Sequence, residues 1–461
     1  MRVEAVLGAS FRDPDGFMYR SGGRLLRKIN PSYLPHYERL LGSGLLAKLW
    51  DMGLLVRHEI VSTGAAGEGM VIAPQEIPYV CYPYEWSFGQ LKQAALLTLR
   101  LQKIALEHGM SLKDASAYNV QFRGATPVFI DTLSFENHVQ GQPWVAYRQF
   151  CQHFLGPLAL MAYGDVRLRN LLRSYIDGLP LDLVASLLPR RTFLRYSLLS
   201  HVHLHARTQR SHANDAVTGL KGPGRFSTTM MLALVESLKS AVQRLEVRQY
   251  ESEWGRYYAD TNYSPEAMSA KETLVQEMIS RHFEPGVVVH DIGANTGRFS
   301  RLAETPERLV VAHDIDEMAV EFHYREASSR KGNVLPLVLD LTNPAPSLGW
   351  AQGERDGFAE RVAGGNVLAL ALIHHIAISN NVPLPRVAGF FATLAGKLLI
   401  EFVSKEDSQV RRLLATREDI FPDYTEAGFE AAFGECFHCL EKRPIDGTAR
   451  VLYLFESRVR H

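Results

Sequence analysis

The chain has 461 residues, too many for a single hydrophobic core, so two or three domains are expected. Fifty Lys and Arg balance fifty Asp and Glu, which excludes a global field that would draw the chain to nucleic acid or an anionic membrane. Four cysteines exclude a disulfide scaffold, and no apolar run approaches the ~20 residues of a membrane helix, so a cytoplasmic protein is the default expectation.

From the N-terminus, residues 15–20 and 24–29 read as strands joined by Ser21-Gly22-Gly23. A helical stretch over residues 34–49 is interrupted at Gly42-Ser43-Gly44, and further strands are predicted at 55–61 and 69–72. Residues 87–107 carry Leu91, Ala94, Ala95, Thr98, Leu101 and Gln102 along one stripe and predict a long helix. Residues 140–250 read as largely helical, with Ala206 to Gly224 polar and rich in turn formers. The expected division is an N-terminal α+β domain at 1–205, a helical linker at 206–250 and a second domain at 251–461.

Within the first domain, Asp114, four intervening residues, Asn119, a short hairpin and Asp131 resemble the catalytic loop and metal-binding aspartate of protein-kinase-like phosphotransferases. That resemblance implies a divergent kinase-like fold, with Lys28 as the candidate phosphate-contacting lysine. The pattern departs from the family in two places. No His-Arg pair precedes Asp114, and Thr132-Leu133 stands where Phe-Gly is usual. A plain accessory domain that uses these acids in turns and caps is the alternative.

The second half alternates strand and helix, with apolar strands predicted at 287–292, 309–314, 334–339, 366–373 and 396–403. Two last strands flank Asp446-Gly447, a hairpin signal. The expected fold is therefore α/β: a mainly parallel Rossmann-like sheet with an antiparallel terminal hairpin. Before it, residues 254–264 are aromatic and polar, and Pro265 opens an amphipathic helix.

The stretch Val287 to Phe299 reads as a buried strand, a tight glycine turn at Gly293 and Gly297, and the start of a helix. Asp291 stands at the end of that strand. Asp314 lies 21 residues beyond Gly293, the spacing at which a βαβ unit delivers a carboxylate to a ribose. An acid before the turn repels a pyrophosphate but suits a cationic amino-acid ligand.

With Asp314-Ile315-Asp316, Leu339-Asp340-Leu341 and the run Leu368 to His375, these residues resemble class I S-adenosylmethionine-dependent methyltransferases. Over nearly the whole chain the sequence is similar to a bacterial family of nodulation-related methyltransferases. The first motif also occurs in a separate sugar O-methyltransferase family. The resemblance implies S-adenosyl-L-methionine as cofactor and a carbohydrate, glycolipid or other small polar acceptor; from the charge balance no nucleic-acid partner is expected, and no metal is expected.

It further implies that Gly293, Ala294, Asn295 and Gly297 approach the amino-acid portion of the cofactor, with Asp291 at its ammonium. Asp314 takes the ribose hydroxyls with Asp316 beside it, and Asp340 and Leu341 read the adenine. His374 and His375 follow a strand at the edge where open α/β sheets bind ligands, and an imidazole suits a general base. Glu401, at the next strand end, is a second base candidate. A bifunctional chain with an ATP-dependent phosphotransferase half and a non-catalytic cofactor-binding scaffold are the competing function classes. Cys436-x-x-Cys439 is discounted as a metal site because i and i+3 of a strand face opposite ways and no second pair accompanies it, and the histidines at 201, 203, 205 and 212 because no acidic partner lies close in sequence.

Overall fold

The computed structural model describes residues 5–63, 69–204, 227–247, 263–415 and 417–459. They fall into two compact units, Met1–Gln249 with Leu348–Arg355, and Tyr250–Ser347 with Asp356–His461. Residues 254–262 of the expected aromatic segment, most of the expected linker, and His205 and His212 lie outside the described residues. Among those described, no helix is long and apolar enough to cross a membrane.

The first unit is α+β, as expected. Five antiparallel strands, β1 (Ala5–Val6), β2 (Gly16–Ser21), β3 (Arg24–Ile29), β4 (His58–Thr63) and β5 (Met70–Pro74), lie in the order β1-β2-β3-β5-β4. Gly22 and Gly23 join β2 to β3 with φ of 58° and 74°, the mirror-image turn that matches strand twist. The predicted helical stretch is two helices, Leu34–Gly42 and Leu45–Asp51, because Gly44 sits at φ 75° between them. The predicted strand at 55–61 begins later, at His58. Leu55 instead forms a parallel bridge to Phe129, and Val56 donates its N–H to the Phe129 carbonyl.

The long helix runs Phe88–Glu107, opened by a capping box between Ser87 and Gln90, and all six residues of its predicted stripe are buried. Short antiparallel pairs follow: β6 (Met110–Leu112) with β9 (Phe135–Asn137), and β7 (Val120–Arg123) with β8 (Thr126–Phe129). The helix Thr228–Gln243 packs back on Phe88–Glu107, and Lys92 Nζ donates to the carbonyls of Gln243 and Leu245 at its end.

The second unit is the expected α/β sheet with its antiparallel terminal hairpin. Its strands are β10 (Val289–Ile292), β11 (Val310–Asp314), β12 (Val334–Val338), β13 (Gly365–Ala369), β14 (Ala395–Val403), β15 (Phe437–Pro444) and β16 (Arg450–Ser457). They lie in the order β12-β11-β10-β13-β14-β16-β15. The first five are parallel, and β16 inserts antiparallel between β14 and β15. Every residue of β10, β11 and β12 is buried, the signature of a sheet covered on both faces. The strand order reverses between β10 and β13, so a crevice opens outside their carboxyl ends.

Candidate active site at the switch point of the sheet

Strand β10 ends in a turn whose backbone is fixed by its neighbour. The N–H groups of Gly293 and Ala294 both donate to the His313 carbonyl, at 2.8 and 2.9 Å. Gly293, Asn295 and Gly297 all have positive φ, at 81°, 50° and 79°. The Asn295 N–H donates to Asp314 Oδ2 at 2.7 Å, and the Asp316 N–H to Asp314 Oδ1 at 2.9 Å. The two glycines serve different ends. Gly293 lines a cavity, and a Cβ there would meet the Leu372 side chain at 3.3 Å. Gly297 does not line it; a Cβ there would drive into the His323 ring of the helix Glu317–Arg330.

The cavity has a volume of about 380 Å³ and lies along the carboxyl ends of β10, β11 and β13. Asp291, Ala294, Asn295, Asp314, Asp340 and Leu341 line it, as does Gly293. Asp316 does not: its Oδ1 caps the next helix, accepting from the N–H groups of Met318 and Ala319. Burial pushes the Asp291 carboxyl up to about 6, reinforced by the Asp314 charge and opposed by a 2.6 Å hydrogen bond from Ser300 and by the Lys271 charge. Burial likewise raises Asp314 to about 6, against the pull of the backbone N–H groups it accepts. Two desolvated acids of this kind gain from a cationic group or from hydroxyl donors. Asp340 Oδ1 accepts from the Thr342 N–H at 2.9 Å and its hydroxyl at 2.6 Å, and Leu341 adds an apolar wall beside it.

Strand β13 ends at Ala369, four residues before its predicted end. Ala371 takes φ 52°, so the chain turns before it reaches the histidines. His375 lines the cavity; His374 is buried behind it, its ring 4.1 Å away and its Nδ1 without a hydrogen-bond partner. Burial, followed by the charge of Arg450, holds His375 down at about 4. Burial and the adjacent His375 push His374 well below the ordinary imidazole range. Both rings are neutral at pH 7. Asn380 also lines the cavity and donates to the His375 carbonyl at 2.9 Å, whereas Asn381 accepts from Arg417 at 3.1 Å.

Glu401 is fully buried and off the cavity wall. It accepts from Lys271 Nζ at 2.6 Å, from the Tyr263 hydroxyl and from Arg450 at 3.4 Å. Burial opposes its charge, but Lys271 and Arg450 hold its carboxyl below the usual range. Arg450 also pairs with Asp407 at 2.7 Å. Sequence reasoning named Tyr263 only within the aromatic segment 254–264 and missed Lys271, Asp407 and Arg450. The signal for Lys271 was present: in the helix Pro265–His282 it continues the buried stripe Met268, Val275, Met278, a place where an ordinary surface lysine does not sit.

In the first unit the structure brings Asp114, Asn119 and Asp131 onto one polar cluster. Asn119 donates to Ser134 Oγ at 3.2 Å, and Ser134 donates to Asp131. The cation that meets Asp131 is Arg27, buried on β3 next to Lys28, the candidate phosphate-contacting lysine. Arg27 bridges Asp131 and Asp13, the latter at 2.7 Å. Among the described residues, no three His, Cys, Asp or Glu side chains gather as a metal site. Cys436 ends a helix and Cys439 is exposed on β15.

No family model matches the chain. It is 36% identical over 462 residues to the nodulation protein NoeA of Rhizobium meliloti (strain 1021), covering 98% of this chain and 96% of that one. Among solved structures, magnesium protoporphyrin IX methyltransferase from Synechocystis PCC 6803, with bound SAH, is 19% identical at a TM-score of 0.31, covering 44% of this chain and 91% of its own. The N-methyltransferase NodS of Bradyrhizobium japonicum WM9, in complex with S-adenosyl-L-homocysteine, is 11% identical at a TM-score of 0.31, covering 43% and 90%.

Proposed function

We propose, from the premise that the chain belongs to the family of the nodulation protein NoeA, that it is an S-adenosyl-L-methionine-dependent methyltransferase acting on a hydroxyl of a carbohydrate, glycolipid or other small polar acceptor. One observation carries the proposal. Three carboxylates from the ends of successive strands, Asp291, Asp314 and Asp340, line a single cavity beside a positive-φ glycine. The residues fit the cofactor. Gly293 leaves the backbone bare where a ligand comes close, the raised Asp291 suits an ammonium, and Asp314 suits a ribose diol. Asp340 beside Leu341 suits an adenine amine and ring face.

When bound, the cofactor supplies an electrophilic methyl group on sulfur. The chain must hold an acceptor oxygen in line with it and take the proton. His375, neutral and on the cavity wall, is the residue proposed for that proton; His374 packs behind it and orients it. Ser379 and Asn380 beside Leu413 and Met268 give the cavity a mixed polar and apolar lining, which suits an acceptor with hydroxyls on an apolar frame. Incubation with labelled methyl donor and bacterial extract, followed by mass spectrometry of what acquires label, tests the activity and identifies the acceptor. Label on protein or nucleic acid alone would overturn the acceptor class.

A further inference from the structure

We infer that Lys271 binds the carboxylate of the cofactor's amino-acid portion and makes the pocket selective for ligands that carry it; the inference rests on the cofactor reading above. A donor of this kind ends in a zwitterion, an ammonium and a carboxylate on one carbon. Asp291 answers the ammonium. A carboxylate taken out of water needs an equally desolvated cation or a set of donors. Among the described residues that line the cavity, Lys271 alone carries an amino or guanidino side chain; burial works against its charge, and Glu401 favours it. It reaches the wall from the helix Pro265–His282, which lies outside the strands that supply the acids.

The side chain of Lys271 is only 2% exposed and is held from several sides. Its ammonium donates to Glu401 Oε2 at 2.6 Å and to the Tyr263 hydroxyl at 3.3 Å, and it stands 4.6 Å from the Phe299 ring centroid. An ammonium has three donors, and two are engaged; the third has no hydrogen-bond acceptor among the described residues. Asp291 is near enough for its charge to act on Lys271, so opposite charges stand close together on one stretch of wall. That is the arrangement a zwitterion matches. Glu401 serves to keep the ammonium in place while the ligand is absent, and its other contacts, Tyr263 and Arg450, keep Glu401 itself satisfied.

The experiment compares two ligands by calorimetry: S-adenosylhomocysteine, and its decarboxylated counterpart, which keeps the amine. Wild-type protein should bind the first roughly 10- to 100-fold more tightly, the ratio expected for one charge-assisted hydrogen bond in a dry site. In Lys271→Met that ratio should fall to roughly 1–3, with affinity for the decarboxylated ligand little changed. The double variant Lys271→Met/Glu401→Gln removes both charges together, so it serves where the single variant fails to fold. If S-adenosylhomocysteine binds and the variants keep the wild-type ratio, the role given to Lys271 is wrong while the cofactor reading stands. If wild-type protein binds neither ligand, the cofactor reading is overturned and this inference with it.

Discussion

The backbone N–H of Asn295 donates to Asp314 Oδ2 at 2.7 Å, so the turn after β10 hangs on the side chain that ends β11. One carboxylate thus shapes the glycine turn and faces the cavity. Asp314→Ala should weaken S-adenosylhomocysteine binding roughly 10- to 100-fold by deleting contacts to a charged acceptor. It should also lower the melting temperature, because the N–H groups of Asn295 and Asp316 lose their partner. Calorimetry and thermal denaturation read the two effects separately; unchanged affinity contradicts the ribose assignment.

Asp291 should show the opposite sign in the apo protein. Its carboxyl is raised to about 6 by burial, so the folded state disfavours the charged form. A group raised above its unfolded value contributes stability at low pH that is lost as pH rises through 6. Asp291→Asn has no such ionisation and can keep an acceptor for the Ser300 hydroxyl. At pH 8 the variant should therefore be more stable than wild type, by up to about 3 kcal/mol, with the gap narrowing as pH falls through 6 and closing near about pH 4. It should nevertheless bind S-adenosylhomocysteine more weakly, since the ammonium loses its counter-charge. Urea denaturation across this pH range gives the comparison, and a gap that does not depend on pH would remove Asp291 from this role.

The β10 turn was legible in the sequence because its signals are local: a β-branched run, an acid and two glycines at fixed spacing. The terminal hairpin was legible for the same reason, through Asp446-Gly447. What the sequence hid depends on long-range packing. Gly297 looked like a second ligand glycine, but it is bare to make room for His323, 26 positions later. Asp316 looked like part of an acidic pair, but its side chain turns back to cap its own helix. The β13 strand was read too long because Leu370 to Ile373 is apolar throughout, and the positive φ at Ala371 leaves no mark in hydropathy. Arg450 and Glu401 meet across adjacent strands β16 and β14, so neither position announces the other. In the first unit, the Arg27 bridge to Asp13 and Asp131 spans 14 and 104 positions, so nothing local to Arg27 marks it.

His374 and His375 should separate by readout. His375→Ala should cut turnover by roughly 100-fold or more with little change in cofactor affinity, the loss typical of a general base. His374→Ala leaves a buried cavity and should act first on stability. With His375 at about 4, the neutral base is fully present from pH 6 upward, so at saturating cofactor wild-type turnover should be flat above pH 7 and lose its base only as pH drops toward 4. Equal turnover losses with equal stability would put both rings in the chemistry.

Arg27 gives the last prediction, in the first unit. Its guanidinium stands between Asp13 and Asp131, with a side chain 10% exposed. The two carboxylates thus already have a cation from the chain itself. Arg27→Met leaves both acids facing each other without that charge and should destabilise this unit by about 3 kcal/mol. Burial works against the charge of Asp131, and Arg27 is the largest influence holding its carboxyl below the usual range. The stability Asp131 contributes is present above its unfolded value and lost as pH falls through the lower folded one. The penalty for Arg27→Met should therefore be largest at neutral pH and shrink in acid, as Asp131 protonates. Domain-resolved hydrogen exchange at pH 7 and pH 4 measures it. A phosphotransferase half would instead need Asp131 for a metal, and it predicts magnesium-dependent ATP binding in wild type that Asp131→Ala abolishes. A built-in guanidinium predicts no such binding, so one titration with magnesium and ATP decides between the two uses of the same carboxylate.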